Sequence, residues 1–182
     1  MILLAFTSCG KKGDANGNGT GTETKKFDSP EKYNDFIVGL SDNVGREIAI
    51  LSITIWSPGV TATDLDSGLI RLKAECDKSL GEVGKLDGYD GNTELRDGMK
   101  DLLTYYSGLT NKEFPNLITY AKNGFQETAD SSKVQEIFDD MDRRESAIIE
   151  KLGKVQEAFA QKYGITLEDK GAPMDPNEFI KE

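Results

Sequence analysis

The sequence predicts an all-α protein, an antiparallel up-down four-helix bundle preceded by a flexible N-terminal tether. Three observations point there. Apolar residues recur every three or four positions in four long stretches, as one face of a helix requires. Short clusters of Gly, Pro, Asn and Asp separate those stretches. One run alone has strand-like composition, and it has no second such run to pair with.

The first helix starts at Asp28 or Ser29, either of which can cap, with Pro30 suited to the first turn because its missing N–H needs no partner there. Tyr33, Phe36, Ile37, Leu40, Val44, Ile48, Leu51 and Ile55 carry its stripe until Pro58-Gly59 stops it. Within it, Ile48–Trp56 is the strand-like run. The helical phase reaches it unbroken, so helix is expected. A second helix opens at Thr63 or Asp64 and repeats through Leu65, Leu69, Leu72, Cys76, Leu80 and Val83. Asp87-Gly88-Tyr89-Asp90-Gly91-Asn92 is then a turn, with Asn92 or Thr93 capping the next helix. The third stripe runs through Leu95, Met99, Leu102, Tyr106 and Leu109, bends or restarts before Pro115, and resumes at Leu117, Ile118 and Ala121.

The fourth helix is expected to cap at Asp130, Ser131 or Ser132. Its stripe is Val134, Ile137, Phe138, Met141, Ile148, Leu152, Val155, Phe159 and Tyr163, with Glu145 as an interruption and Ile149 as a sideways step. Gly164 suits a left-handed cap, with Ile165 placed for the hydrophobic contact that accompanies it. Residues 165–182, with two prolines and few apolar side chains, form an irregular tail. The organisation is therefore 1–8, 9–26, 27–164 and 165–182: a short apolar leader, a tether, a bundle and a tail. Gly39, Gly45, Gly81, Gly84 and Gly153 fall inside the helices. Each costs about 1 kcal/mol relative to alanine, and they read as tolerated rather than as a ligand groove.

Composition narrows function. The 182 residues include 22 Lys plus Arg against 32 Asp plus Glu, a formal net charge of -10, which opposes binding to a phosphate backbone. Nucleic acid is not an expected partner. With no histidine anywhere, Ser-His and Cys-His catalysis is excluded, as are the Glu-x-x-His di-iron sites of carboxylate bundles. The two cysteines, Cys9 and Cys76, make no thiolate zinc set and no CxxC motif. No cofactor and no metal is expected. Cys76 continues the stripe of Leu72 and Leu80, as a small buried hydrophobe does. The Asp87–Glu94 segment mixes carboxylates, an amide and glycines, yet it lacks the ligand alternation of an EF-hand, and a helix-to-helix turn accounts for it. Asp139 through Glu145 reads as a solvated charged face, with Asp139–Arg143 and Asp140–Arg144 as i,i+4 pairs. Trp56, the single tryptophan, stands at a helix end as either a partner anchor or a plug for the bundle.

The first residues are Met-Ile-Leu-Leu-Ala-Phe-Thr-Ser-Cys, then Gly10, Lys11 and Lys12. This apolar segment leading through small residues to cysteine resembles a bacterial lipobox, of the relaxed kind found in Bacteroidota and spirochaetes. The resemblance implies cleavage before Cys9 and lipidation of its sulfur. No Lys or Arg precedes Cys9 and the apolar core is short, so a true start codon further upstream is expected. Gly10–Lys26 contains five glycines and no large apolar residue, a flexible spacer with a reach of about 20–25 Å. The resemblance implies a lipid-anchored protein of the cell envelope, outer membrane foremost, attached to a membrane by its N-terminal lipid and meeting an envelope protein or ligand. With no catalytic set in view, a non-enzymatic binding, adaptor or surface-display module is expected. The alternatives are an envelope hydrolase working through paired carboxylates and a carrier of an apolar ligand inside the bundle.

Overall fold

A computed structural model describes residues 25–125 and 128–167, and every described element is helical. The readings made for Cys9, the leader, most of the tether and residues 168–182 lie outside the described residues.

The first helix, α1, spans Pro30–Trp56. Ser29 caps it, its hydroxyl accepting from the Lys32 N–H at 3.3 Å. The Ile48–Trp56 run stays helical to the end. Thr54 within the run and the cap Ser57 just after it each donate to the carbonyl one turn back, Thr54 to Ile50 (2.8 Å) and Ser57 to Ile53 (2.9 Å). Gly59, at φ +77°, takes the turn that follows.

α2 spans Ala62–Gly84 and begins slightly earlier than the sequence suggests. Thr61 is the cap and Asp64 completes a capping box: the Thr61 hydroxyl accepts from the Asp64 N–H (3.2 Å), and the Asp64 carboxylate accepts from the Thr61 N–H (3.0 Å). The 87–92 segment is a tight turn in which Tyr89 and Asn92 exchange two backbone hydrogen bonds of 2.9 Å. Of the two expected caps, Asn92 accepts from the Glu94 N–H at 2.9 Å, while Thr93 bonds the Asp97 carboxylate instead.

The third stripe divides into α3 (Glu94–Leu109) and α4 (Glu113–Lys122). Pro115 has no N–H to give a carbonyl one turn back, so the chain restarts with Pro115 in the first turn of α4, where no donor is required. α5 spans Thr128–Tyr163. Asp130, Ser131 and Ser132 thus lie inside the helix, not at its cap, a correction to the sequence reading: residue types that favour caps also occur within a first turn. At the far end the Ile165 N–H bonds the Ala160 carbonyl at 3.1 Å across Gly164 at φ +66°, and Ile165 is buried. This is the expected Schellman closure.

Contacts fix the relation of the helices. On α1 and α2, Leu51 lies against Gly68, Glu47 reaches Arg71, and the Leu40 carbonyl accepts from Ser79, so partners rise on one helix as they fall on the other. On α3 and α5 the series is Gly98 with Leu152, Asp101 with Lys151, Tyr106 with Glu145. α1 and α5 meet through Tyr33 with Phe159, Asn34 with Gln156, and Trp56 with Phe138. The core runs the length of these contacts, from Tyr33 to Ile55 on α1 and from Val134 to Ile165 along α5.

α5 departs from its expected stripe at two places. Ile149 is buried more fully than Ile148, and Gln156 more fully than Val155. Gln156 donates to the Asn34 side-chain oxygen at 2.7 Å, which supplies the hydrogen bond a buried amide needs.

Gly39, Gly81, Gly84 and Gly153 face open space, whereas a Cβ on Gly68 would stand 2.9 Å from Leu51 Cδ1 and one on Gly98 3.0 Å from Leu152 Cδ1. Close helix approach is thus seen at Gly68 and Gly98, which the stripe pattern does not single out. Gly81→Ala is expected to raise the unfolding free energy by about 1 kcal/mol, and Gly68→Ala to lower it. Urea denaturation followed by circular dichroism checks both signs.

Candidate functional site

Two features stand out once the helices are placed: a clamp where α3 and α4 meet α5, and an aromatic pair at the end of α1.

The clamp comes from consecutive tyrosines. Tyr105 donates to the Met141 carbonyl at 2.7 Å and Tyr106 donates to the Glu145 carboxylate at 2.7 Å. Residues four apart on α5 lie one above the other, so neighbouring hydroxyls on α3 grip a single turn from two directions. Between them, Arg144 reaches across to Glu113 on α4 at 2.7 Å and holds Asp140 at 2.9 Å. Arg143 also pairs with Asp140, while Asp139 accepts from Gln135. The expected Asp139–Arg143 pair is therefore replaced.

Reading 139–145 as a solvated face fails for Glu145, which is 3% exposed, and for Arg144, which bridges two helices. The signal was present: Glu145 stands four residues after Met141 and four before Ile149, on the buried line itself. A carboxylate at a core position needs a donor, and Tyr106, on the facing stripe, supplies it. Glu113, 8% exposed, gave no such signal, because its burial depends on the break before Pro115.

Burial raises the Glu145 carboxyl above its ordinary value of 4.5; the Tyr106 hydrogen bond works against this and nearby Asp142 works with it. Burial and the Glu145 carboxyl push the Tyr106 hydroxyl well above 10. Cys76 is buried and unbridged, with its thiol pushed up to about 12 by burial, so it is the inert core residue its stripe position suggests.

The second feature surrounds Trp56. The indole is 53% exposed, yet one face lies flat on Phe125 with ring centroids 4.8 Å apart and planes 8° from parallel. Phe138 of α5 approaches to 6.4 Å. Phe125 itself has φ +48°, a conformation that costs a bulky residue energy. Its N–H bonds the Tyr120 carbonyl at 3.2 Å, just past the Gly124 cap of α4. Nearby, at the α1–α2 corner, an open groove of about 420 Å³ is lined by Thr54, Ser57, Pro58, Val60, Ser67 and Arg71 among others; its one acid, Asp64, is engaged by the Thr61 cap. Neither Glu113 nor Glu145 lines it.

Comparison with protein-family models, curated proteins and solved structures finds no match to the chain.

Two outcomes follow. Trp56→Ala is expected to cost about 1 kcal/mol, the scale of one aromatic contact, against at least ~3 kcal/mol for the buried Phe114→Ala; thermal unfolding distinguishes them. For Glu145, the folded state holds its proton to higher pH than the unfolded chain. Its contribution is therefore complete below about pH 4.5 and is lost as pH rises through the folded value. The unfolding free energy of Glu145→Gln minus that of the wild type should grow from pH 4 to pH 8. A constant difference would contradict the assigned sign.

Proposed function

We propose that this chain is a lipid-anchored protein of the cell envelope, acting as a non-enzymatic binding, adaptor or surface-display module. The observation that carries the reading is the order of its first residues: an apolar segment, Thr7-Ser8-Cys9-Gly10, then a glycine-rich spacer up to the start of α1. Acyl chains on Cys9 would supply the membrane affinity, at about 0.8 kcal/mol per buried methylene. No described helix is long and apolar enough to cross a membrane.

The arrangement we propose for the bundle has four legs, with α3 continued by α4 as the third, running up-down-up-down. The contacts of α1 with α2, of α3 with α5 and of α1 with α5 support it. In that arrangement the tether joins the bundle at the Pro30 end of α1. Trp56 stands at the other end of this 27-residue helix, about 40 Å away. Anchored through Cys9, the module would hold Trp56 and Phe125 away from the bilayer, where an envelope protein or ligand could meet them.

Expression with the natural upstream sequence, in the presence of labelled palmitate, tests the anchor. Label should enter the wild-type protein and vanish in Cys9→Ala. A wild-type chain carrying its natural leader that takes up no label, and whose intact mass equals that of its unmodified residues, defeats the proposal.

A further inference from the structure

α5 is unevenly held. Before Glu145, the described side chains buried in the core are Val134 and Met141; after it, Ile149, Leu152, Gln156, Phe159 and Ala160 are buried. The polar grip on the first half is concentrated in one turn, where Tyr105 holds Met141, Glu113 holds Arg144, and Tyr106 holds Glu145. Local opening follows the density of such contacts, so this first half is the segment of α5 that opens most cheaply.

Glu145 is the sensitive member of that grip. Its carboxyl is buried and takes its hydrogen bond from a neutral hydroxyl, while the nearest guanidinium, Arg144, is directed to Glu113 and Asp140. The titratable and charged groups around the carboxyl and its tyrosine partner are Tyr105 and Tyr106 from α3, Glu113 from α4, Cys76 from α2, and Asp140, Asp142 and Arg144 from α5 itself. None of these groups is on α1. Removing the proton leaves a charge that burial disfavours and that neighbouring acids repel.

We infer that residues 128–144 form a hinged arm, latched to α3 through the protonated Glu145 carboxyl and released when that carboxyl ionises. Lifting the turn at 141–145 admits water to the charge, and the arm carries Phe138 away from Trp56. The device is closed below the ordinary carboxylate range and loosens as pH rises through the raised value of the buried carboxyl. It stands whether or not Cys9 is lipidated.

Hydrogen exchange of the full chain across pH 4–8, corrected for intrinsic amide rates, tests it. In the wild type, opening of amides 133–144 should rise relative to 149–160 by up to about tenfold per pH unit between the ordinary carboxyl value and the raised value of the closed arm, and level off above it, as release of one proton dictates. Trp56 emission should shift over the same range. In Glu145→Gln the opening should be flat with pH. Tyr106→Phe removes a hydrogen bond that favours the charged carboxylate, so its midpoint should move to higher pH. That variant also decides the matter if Glu145→Gln does not fold. A wild-type profile flat with pH, an unchanged profile in Glu145→Gln, an unmoved midpoint in Tyr106→Phe, or equal opening of both halves of α5 would each overturn the inference.

Discussion

Everything else in the molecule is arranged around the buried face of α1. Tyr33, Ile37, Val44, Ile48, Leu51 and Ile55 make the narrow line expected of an amphipathic helix, but Asn34, Val38 and Ser41 are buried beside it. The buried face is broad in the first half and narrows in the second. A helix is enclosed this widely only when neighbours cover it from more than one side, and α1 packs against α2, α3 and α4 while its side chains also reach α5. Hydrophobic burial is non-directional, so this face explains why the helices gather and leaves open how they register.

Register is set by the polar groups that the core admits. Asn34 with Gln156, Ser79 with the Leu40 carbonyl, and Tyr106 with Glu145 are hydrogen bonds at buried positions on different helix pairs. Sliding either member by a turn would leave a buried donor or acceptor unmade, at about 1–3 kcal/mol. An apolar stripe tolerates such a slide far better. Gly68 and Gly98 act in the same sense by steric means, since a Cβ on either would press on a leucine Cδ1, of Leu51 and Leu152 respectively, and that side chain would have to give way.

The helices were legible because their signal is local and repeated. Stripes through Tyr33–Ile55 and Leu65–Val83 average over many residues, and the continuous phase through Val44 and Ile48 decided the Ile48–Trp56 run correctly against its β-branched composition. Gly164 with Ile165 was legible for the same reason: a C-cap is a short-range pattern. What escaped depends on partners distant in sequence. Arg144 looks like a surface cation until α4 brings Glu113 to it, 31 residues away in the chain. Glu145 looks like a fault in a stripe until Tyr106, 39 residues away, supplies a hydroxyl. The cap of α5 is a different case: a local polar signal stands at 130–132, yet the helix already runs from Thr128.

The two ends of the bundle differ in their aromatic packing. At the end where α1 begins, Phe27, Tyr33, Tyr89, Phe159 and Tyr163 interlock with centroids 4.7–5.9 Å apart, drawing on α1, α5, the 87–92 turn and the segment before α1. Edge-on and tilted rings from several parts of the chain resist separation together, because displacing one uncovers the rest. At the opposite end Trp56 stacks on Phe125 with Phe138 at 6.4 Å, and Phe125 sits at φ +48°. Among the described residues the aromatic packing is therefore more extensive where α1 begins than at its far end, and it ties together parts of the chain that lie far apart in sequence.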